Sequence, residues 1–305
     1  MKKILLVADQ GGWVFEYHCK SIKKYLPEFD IDIVFRKFNI RQVQDQYDLI
    51  YVLDPMPLKH GYPNPNKTIM GLRCEFLYRE HPEGAKGLYE NGFPGRCVSI
   101  KDKCSILHVV NENQMKTLKD IVIDKPLLLV PHGVDSDMFD RSKYAKTTSN
   151  ILRVSTSGRN SNNKGFGIVK QVCDKLQLHN MSAQYGGKKI PKEEMPKFYN
   201  NIDVHVCMSK DEGLSNPILE AGAMGVPIVS TRCGGVEEII EDGVNGFLID
   251  RNSGSLQEAL LKIQNNNLRQ EMGNNIYKEI MKNWTWKIRI EDFRKMFNKF
   301  FEMNK

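Results

Sequence analysis

Short apolar runs alternate with amphipathic segments along the first half of the chain. The runs are rich in Ile, Leu and Val, whereas the segments between them place apolar residues at helical spacing. The apolar runs are KKILLVA, IDIVF, DLIYVL, TIMGLRC, SILHVV and PLLLVP, and the amphipathic segments include FEYHCKSIKKYL and NENQMKTLKDIV. This alternation of strands and helices predicts a parallel β-sheet that is covered by helices.

A second α/β series begins at Ile151, after a polar stretch that lacks an apolar period. It contains the strand-like runs ILRVSTSGR, VHVCM and PIVST and a helical segment around residues 166–176. The pattern therefore predicts an α/β protein of two Rossmann-like, doubly wound domains that face a cleft, with ligands at the carboxyl ends of the strands. The predicted boundaries are residues 1–137 for the first domain, 138–150 for a linker and 151–282 for the second domain.

The remaining residues, 283–305, form one aromatic and one basic helical face. Trp286, Ile290, Phe293 and Phe297 follow helical spacing, with Lys and Arg between them. Such a stripe predicts a helix that packs on the protein itself, and a helix that lies on a membrane surface is the alternative.

Length and composition suit a globular protein of two domains. The chain has 305 residues, of which 41% are hydrophobic and 27% are charged, and none of its apolar runs approaches the length needed to cross a bilayer. The seven cysteines show neither CxxC nor Cys/His ligand spacing, which argues against a disulfide framework or a zinc site. These features predict a protein of the reducing cytoplasm.

The net charge of +7 favours anionic partners. A nucleotide sugar, phospholipid headgroups and nucleic acid all fit this charge, and so does a solvated surface rich in lysine. No Walker loop and no GxGxxG follows the first strand, which argues against a kinase or a dinucleotide oxidoreductase. The Asp-x-Asp patterns at residues 30–32 and 135–137 lie in a strand and at the linker without a third ligand, so no metal site is expected.

The most informative segment is DEGLSNPILEAGAMGVPIVSTRCGGVEE, residues 211–238. Glu212 ends the loop that follows the strand VHVCM, and Glu220 lies one turn inside the next predicted helix. Ser215 and Asn216 are capping residues, and Pro217 suits the first helical position. The start of a helix presents backbone N–H groups and a positive dipole end, which suits a phosphate or diphosphate.

This segment resembles the Glu-x7-Glu block of retaining glycosyltransferase family 4, the glycogen-synthase-like group 1 glycosyltransferases with the GT-B fold. Further motifs extend the resemblance: Arg159 in SGR, Lys164 in KG, the hinge-like PHGVD at residues 131–135, and Gly12 after the first strand. The resemblance implies a metal-independent hexosyltransferase of the EC 2.4 class. It also implies that the helix of residues 283–305 crosses back to the first domain.

The resemblance also implies roles for individual residues. Glu212 would contact the donor sugar near its reacting carbon, and Glu220 would hydrogen-bond the ribose hydroxyls. Arg159 and Lys164 would meet the donor diphosphate, where their charges offset that of the leaving group. Gly12 would lie near the donor phosphates. The remaining donor-binding candidates lie in two loops. Backbone groups of the loop after Glu212 would bind the sugar and the phosphate, and a second loop would lie against the base. These candidates are Gly213, Leu214, Ser215 and Asn216 in the first loop, and Lys189 and Ile190 in the second.

The acceptor side departs from the family pattern. Family members often place a His after the strand that here reads TIMGLRC, and this chain has Arg73 at about that position. The nearest imidazole is that of His81. Arg73 and His81 are therefore the candidate acceptor residues.

The expected function is transfer of a sugar from a nucleotide diphosphate sugar, with UDP or GDP as the nucleotide, to a hydroxyl of a glycan or lipid-linked saccharide. No cofactor is expected. The basic surface predicts a cytoplasmic protein with peripheral contact to the anionic inner membrane face. Two alternatives remain: a non-catalytic nucleotide-sugar-binding partner in a transferase complex, and a glycosyltransferase that acts on modified nucleic acid.

Overall fold

The computed structural model of the protein describes residues 1–73, 79–93, 97–145, 147–159, 163–181, 183–185 and 190–305. The side chains of residues 157, 159 and 183–185 lie outside the described part. The chain divides into two compact units. Unit 1 comprises residues 1–132 and 289–305, and unit 2 comprises residues 133–288.

Unit 1 contains a six-stranded parallel sheet. Its strands are β1 (Lys3–Ala8), β2 (Asp30–Phe35), β3 (Leu49–Val52), β4 (Thr68–Leu72), β5 (Ile106–Val109) and β6 (Leu127–Leu129). Its helices include α1 (Val14–Tyr25), α2 (Gly84–Asn91) and α3 (Glu112–Leu118). The strand order is β2-β1-β3-β4-β5-β6, and every neighbouring pair is parallel. Strands buried on both faces read as continuous apolar runs, which is why the runs of the sequence mark them well.

Unit 2 contains a five-stranded parallel sheet and a separate strand pair. Its strands are β7 (Arg153–Ser155), β8 (Ser157–Arg159), β9 (His179–Asn180), β10 (Ala183–Tyr185), β11 (Val204–Cys207), β12 (Ile228–Thr231) and β13 (Gly246–Ile249). Its helices are α4 (Phe166–Leu176), α5 (Met195–Asn200), α6 (Asn216–Ala223), α7 (Ser253–Ile263) and α8 (Asn266–Asn283). The sheet has the order β13-β12-β11-β7-β9, and β8 pairs with β10. Two parallel α/β sheets confirm the predicted fold class.

The core of unit 2 forms where α4, α7 and α8 cover its sheet. Val154, Val206 and Val229 of the three central strands pack with Leu256 and Leu260 of α7. Burying each such side chain is worth about 1.5–3 kcal/mol relative to leaving it exposed. The sheet is thereby a firm base for the loops at its edges.

The last helix, α9 (Trp286–Met303), packs against unit 1 from residue 289 onward. The Phe297 ring lies 5.9 Å from that of Phe29 and 5.9 Å from that of Tyr51, measured between centroids. The guanidinium Nε of Arg294 donates to Glu28 over 2.6 Å. The aromatic stripe therefore packs on the protein itself, as predicted.

Residues 138–150 belong to unit 2 and form a 3₁₀ turn at Arg141–Lys143. The neighbouring PHGVD segment is held by the chain that leads into α9. Val134 donates its N–H to the carbonyl of Trp284 over 2.8 Å and accepts from Trp286 over 3.0 Å. A Cβ on Gly133 would lie 2.4 Å from the backbone of Thr285, so only glycine allows this close approach.

Within the described residues, no helix is long and apolar enough to span a membrane.

Candidate functional site

The loop after β11 leads directly into the amino end of α6. Ser215 stands at the capping position with extended backbone angles (φ −77°, ψ 106°), and Pro217 occupies the first turn. Extended geometry at the cap and a proline just inside the helix are the local features that start a helix here. The Ser215 hydroxyl does not cap the helix, is buried, and has no hydrogen-bond partner among the described residues.

A buried hydroxyl without a partner costs free energy, about 1–3 kcal/mol in proteins. In this position a bound oxygen acceptor would relieve the cost. The N–H groups of the first helical turn lack partners within the helix and carry the positive end of its dipole. The Ser215 hydroxyl and the start of α6 together therefore suit an anionic, oxygen-rich ligand.

The turn after β12 contacts this loop and fixes its position. Gly235 donates its N–H to the carbonyl of Gly213 over 2.8 Å. Gly234 has a φ of +56°, and a Cβ there would lie 2.3 Å from the Glu212 carbonyl oxygen and 2.5 Å from that of Gly213. Thr231 adds a hydrogen bond from its hydroxyl to the Ser209 carbonyl at 2.6 Å. The position of the loop thus depends on a glycine at residue 234.

Glu212 is held by donors from different parts of unit 2. The Ser209 hydroxyl donates to its Oε1 over 2.6 Å, and Lys164 forms an ion pair with the same oxygen. Gly165, which has a φ of +69°, packs so closely against Met208 that a Cβ on the glycine would lie 2.6 Å from the Met208 Cβ. This close approach brings the neighbouring Lys164 to the loop. Both side chains of the pair are partly exposed, at 25% for Lys164 and 15% for Glu212. The ammonium and the carboxylate are therefore accessible to a ligand.

Glu220 lies on the second turn of α6 and is 6% exposed. Its carboxylate forms an ion pair with Lys192, and the Lys192 ammonium lies 4.9 Å from the centroid of the Phe139 ring. Sequence analysis did not identify Lys192. It is 28 residues from Glu220 along the chain, in a 3₁₀ turn at Lys192–Glu194, and no local spacing indicates that the two meet.

The other predicted donor-binding residues are spread over unit 2 and unit 1. Leu214 is buried in the loop, and Asn216 is the first residue of α6. Arg159 ends β8, and its side chain lies outside the described part. Lys189 lies outside the described residues, and Ile190 is half-buried just before the turn that carries Lys192.

Gly12 belongs to unit 1. It has a φ of +71° and donates its N–H to Glu16 over 2.5 Å at the start of α1. The prediction that the donor phosphates lie near Gly12 stays a prediction.

The two acceptor candidates are both held by neighbours within unit 1. The Arg73 guanidinium is buried and donates to the Leu53 carbonyl over 3.1 Å and to the Tyr51 hydroxyl over 2.7 Å. It also lies 3.0 Å from His18 Nδ1. His81 accepts at Nδ1 from the Glu83 N–H over 3.1 Å, so its Nε2 donates to a backbone carbonyl at 2.9 Å. Their assignment to the acceptor stays a prediction.

Two aspartates that sequence analysis did not single out, Asp54 and Asp9, interact electrostatically at this edge of unit 1. Asp54 follows β3 and accepts the Arg73 N–H over 3.2 Å, and burial raises the pKa of its carboxyl to about 7. Asp9 follows β1, and burial raises its pKa as well. The register places Val7 opposite Val52, so both carboxyls lie at the carboxyl edge of the sheet. This edge of unit 1 therefore holds titratable groups with shifted pKa values, as binding sites often do.

Residues 155–279 match the family described as Glycosyl transferases group 1. An uncharacterized glycosyltransferase of Methanocaldococcus jannaschii is 35% identical over 139 residues, which are 44% of this chain and 36% of that protein. The capsular polysaccharide biosynthesis glycosyltransferase CapM of Staphylococcus aureus is 30% identical over 105 residues, 34% of this chain and 28% of CapM. A probable sucrose-phosphate synthase of Thermosipho melanesiensis is 30% identical over 207 residues, 58% of this chain and 48% of that protein. The chain spans less than half the length of these curated relatives.

Solved structures show the same fold over nearly the whole chain. Sucrose-phosphate synthase from Thermosynechococcus elongatus superposes with a TM-score of 0.75 at 12% identity, covering 99% of this chain and all of that one. Anabaena HepE in complex with UDP-glucose has a TM-score of 0.73 at 15% identity, with 98% of this chain and all of HepE covered. The predicted GT-B fold is thereby confirmed. Through residues 155–279, the chain is similar to the glycosyl transferases group 1 family.

Proposed function

We propose that this protein is a metal-independent glycosyltransferase that moves a sugar from a nucleotide diphosphate sugar to a hydroxyl of a glycan or lipid-linked saccharide. The observation that carries the proposal is the loop before α6. This loop contains a buried Ser215 hydroxyl that has no hydrogen-bond partner in the described part of the chain, it carries Glu212 with its Lys164 ion pair, and it leads into the start of a helix. Retention of the anomeric configuration is part of the proposal and rests on the family resemblance.

The chemistry of the leaving group supports this use of the loop. A nucleoside diphosphate gains negative charge as the glycosidic bond breaks, and fixed positive charges stabilise that change. The start of α6 and the Lys164 ammonium supply such charge from the protein itself. In the proposed complex, Lys164 bridges the Glu212 carboxylate and a phosphate oxygen, while Glu212 faces the donor sugar. Arg159 would add a second cation.

Glu220 is proposed to accept hydrogen bonds from the ribose hydroxyls. It lies eight residues after Glu212 on the helix that begins at the phosphate site, and its carboxylate is fixed by Lys192. A buried carboxylate with an ordered partner offers a pre-oriented acceptor, which lowers the cost of ordering the ligand.

The relatives support the donor and the acceptor class. HepE, which shares the fold, was solved with UDP-glucose, and this favours UDP among the two nucleotides expected. CapM acts in capsular polysaccharide biosynthesis, which favours a saccharide acceptor. UDP-glucose is therefore the first donor to test.

Glu220→Ala tests the proposal. Hydrogen bonds to a charged group contribute about 1.5–3 kcal/mol each, so the dissociation constant of UDP-glucose should rise about tenfold to a hundredfold. Binding is measured by calorimetry, and release of UDP reports transfer or slow hydrolysis. Proton NMR of the first transferred product gives the anomeric configuration.

Glu258→Ala is the matched control, because Glu258 is an exposed carboxylate on α7 of the same unit. The control should bind the donor as the unmodified protein does. Equal donor affinity in Glu220→Ala and Glu258→Ala would show that the ribose assignment is wrong. Tight donor binding without UDP release, with any acceptor or with water, would instead favour a non-catalytic nucleotide-sugar-binding protein.

A further inference from the structure

Unit 2 contains a cavity of about 600 Å³ that the proposed function does not use. Asp203 and Pro227, which directly precede β11 and β12, line it. The loop of residues 208–215 that leads into α6, called the donor loop, follows the other end of β11. A strand of four residues places the two edges of the sheet about 13 Å apart. The cavity at the amino edge is therefore separate from the loop that carries Glu212.

The lining of this cavity combines apolar and hydrogen-bonding surface. Met224 and Pro227 are buried and contribute the apolar part. Exposed amides and hydroxyls contribute the polar part, among them Gln270, Asn274 and Thr148. No hydrogen bond joins Gln270 or Thr148 to another described side chain, so these groups are available to a ligand. A sugar ring presents the matching combination of an apolar C–H face and hydroxyls at its edge.

A stacked arginine forms one side of the cavity. The Arg141 guanidinium lies 3.6 Å above the centroid of the Tyr277 ring, and its Nη1 donates to Asn274 over 3.1 Å. Its Nε and Nη2 make no hydrogen bond with any described residue. The stack also needs Gly225, because a Cβ there would lie 2.8 Å from Nη1. Arg141 is thus held flat while two of its nitrogen atoms remain available to donate.

The charge of the lining is positive. Asp203 is the acidic lining residue, and Arg153 engages both of its oxygens at 2.8 and 2.9 Å. Arg269 closes the end of α7 by donating to the carbonyls of Ile263 and Gln264 at 2.9 and 3.1 Å. With Asp203 neutralised by Arg153, Arg141 and Arg269 leave a net positive surface that attracts an anion.

We propose that this cavity binds a saccharide that carries an acidic group. The acidic group would take the planar donors of Arg141, which suit the two oxygens of a carboxylate or phosphate. The ring would lie against the apolar surface, and the amides of Gln270 and Asn274 would meet its hydroxyls. The volume is within the usual range for small-molecule sites. The inference does not depend on the donor loop, and it holds whether or not the protein transfers a sugar.

Calorimetry with four probes tests the proposal: glucose 6-phosphate, glucuronic acid, glucose and inorganic phosphate. At least one acidic sugar should bind at least tenfold more tightly than glucose and than inorganic phosphate. Arg141→Gln should weaken that binding at least tenfold and leave the affinity for UDP-glucose unchanged. The matched control is Lys278→Gln, which removes one positive charge from an exposed position next to Tyr277 on α8.

A second variant, Gln270→Trp, fills the cavity from an exposed helical position and should also abolish binding of the acidic sugar. Circular dichroism shows whether Arg141→Gln folds, and Gln270→Trp keeps the test decisive if it does not. Four results would overturn the proposal. These are failure of both acidic sugars to bind, equal affinity for inorganic phosphate or glucose, full affinity in either cavity variant, and displacement of the acidic sugar by UDP-glucose.

Discussion

Gly234→Ala is the sharpest test of how the donor loop is held. At this position a Cβ would lie 2.3 Å from the Glu212 carbonyl oxygen, whereas ordinary van der Waals contact begins at 3.4 Å. The loop must therefore move by about 1 Å, and a displacement of this size at a reacting site can cost about a hundredfold in rate. The φ of +56° adds strain of about 1–2 kcal/mol, because alanine disfavours this left-handed conformation.

Gly243→Ala separates the two effects. Gly243 has a φ of +78° in the same unit, but a Cβ there would meet nothing within 4 Å. Gly243→Ala should therefore lose about 1–2 kcal/mol in the free energy of unfolding, measured with urea, and Gly234→Ala should lose at least as much because its Cβ also clashes with the loop. In Gly234→Ala alone, kcat/KM with UDP-glucose should fall about a hundredfold, and the calorimetric Kd for UDP-glucose should rise.

The reasoning would be refuted if the two variants had donor Kd and kcat/KM values within a factor of about three of each other. A difference of that size corresponds to less than about 0.7 kcal/mol, too little for a loop that has moved by the required distance. Donor binding that stays intact in Gly234→Ala despite a loss of stability would show that the donor does not bind at this loop.

Two further predictions concern buried polar groups of unit 2. Asp203→Asn should lower the free energy of unfolding by about 3 kcal/mol, because it leaves the Arg153 guanidinium buried without its carboxylate. Asp174→Asn, at an exposed ion pair on α4, should change it by less than about 0.5 kcal/mol, and equal losses would contradict this account. His205 is buried beside the Ser155 hydroxyl, and burial lowers its pKa from 6.5 to about 3. The unfolded chain therefore binds the proton more readily, so stability is retained above pH 6.5 and declines as the pH falls towards 3. Between pH 7.5 and 5.5 the loss from this residue is about 1.4 kcal/mol. Urea unfolding of His205→Gln should lack that part of the pH dependence, and an unchanged slope would show that folding does not lower the pKa of His205.

The surroundings of Arg73 show what the sequence alone did not reveal about this edge of unit 1. Arg73 follows a strand, and its position in the sequence gave no sign that its guanidinium lies in a buried network with Tyr51 and His18. Asp54 acquires its raised pKa from burial, which a linear pattern does not report. Both properties depend on which strands become neighbours in the sheet.

Local patterns predicted the elements well. The apolar runs coincide with β1, β3, β4 and β5 because strands buried on both faces need uninterrupted apolar residues. Pro217 marked the start of α6, since its fixed φ suits the first helical turn. The expected cap by a side chain before Pro217 was wrong, because the Ser215 hydroxyl makes no capping hydrogen bond and Asn216 is already the first residue of the helix. The aromatic stripe of α9 predicted a helix packed on the protein because helical spacing gathers its apolar side chains on one face.

The sequence by itself thus determined the strands, the helices and the loop that precedes α6, because each depends on interactions between near neighbours in the chain. Only the tertiary structure decided that Lys192 meets Glu220, that Lys164 meets Glu212, and that Arg141 stacks on Tyr277. These partners are separated by 28, 48 and 136 residues. Their encounter is set by the packing of whole elements, and no residue pattern of short range encodes it.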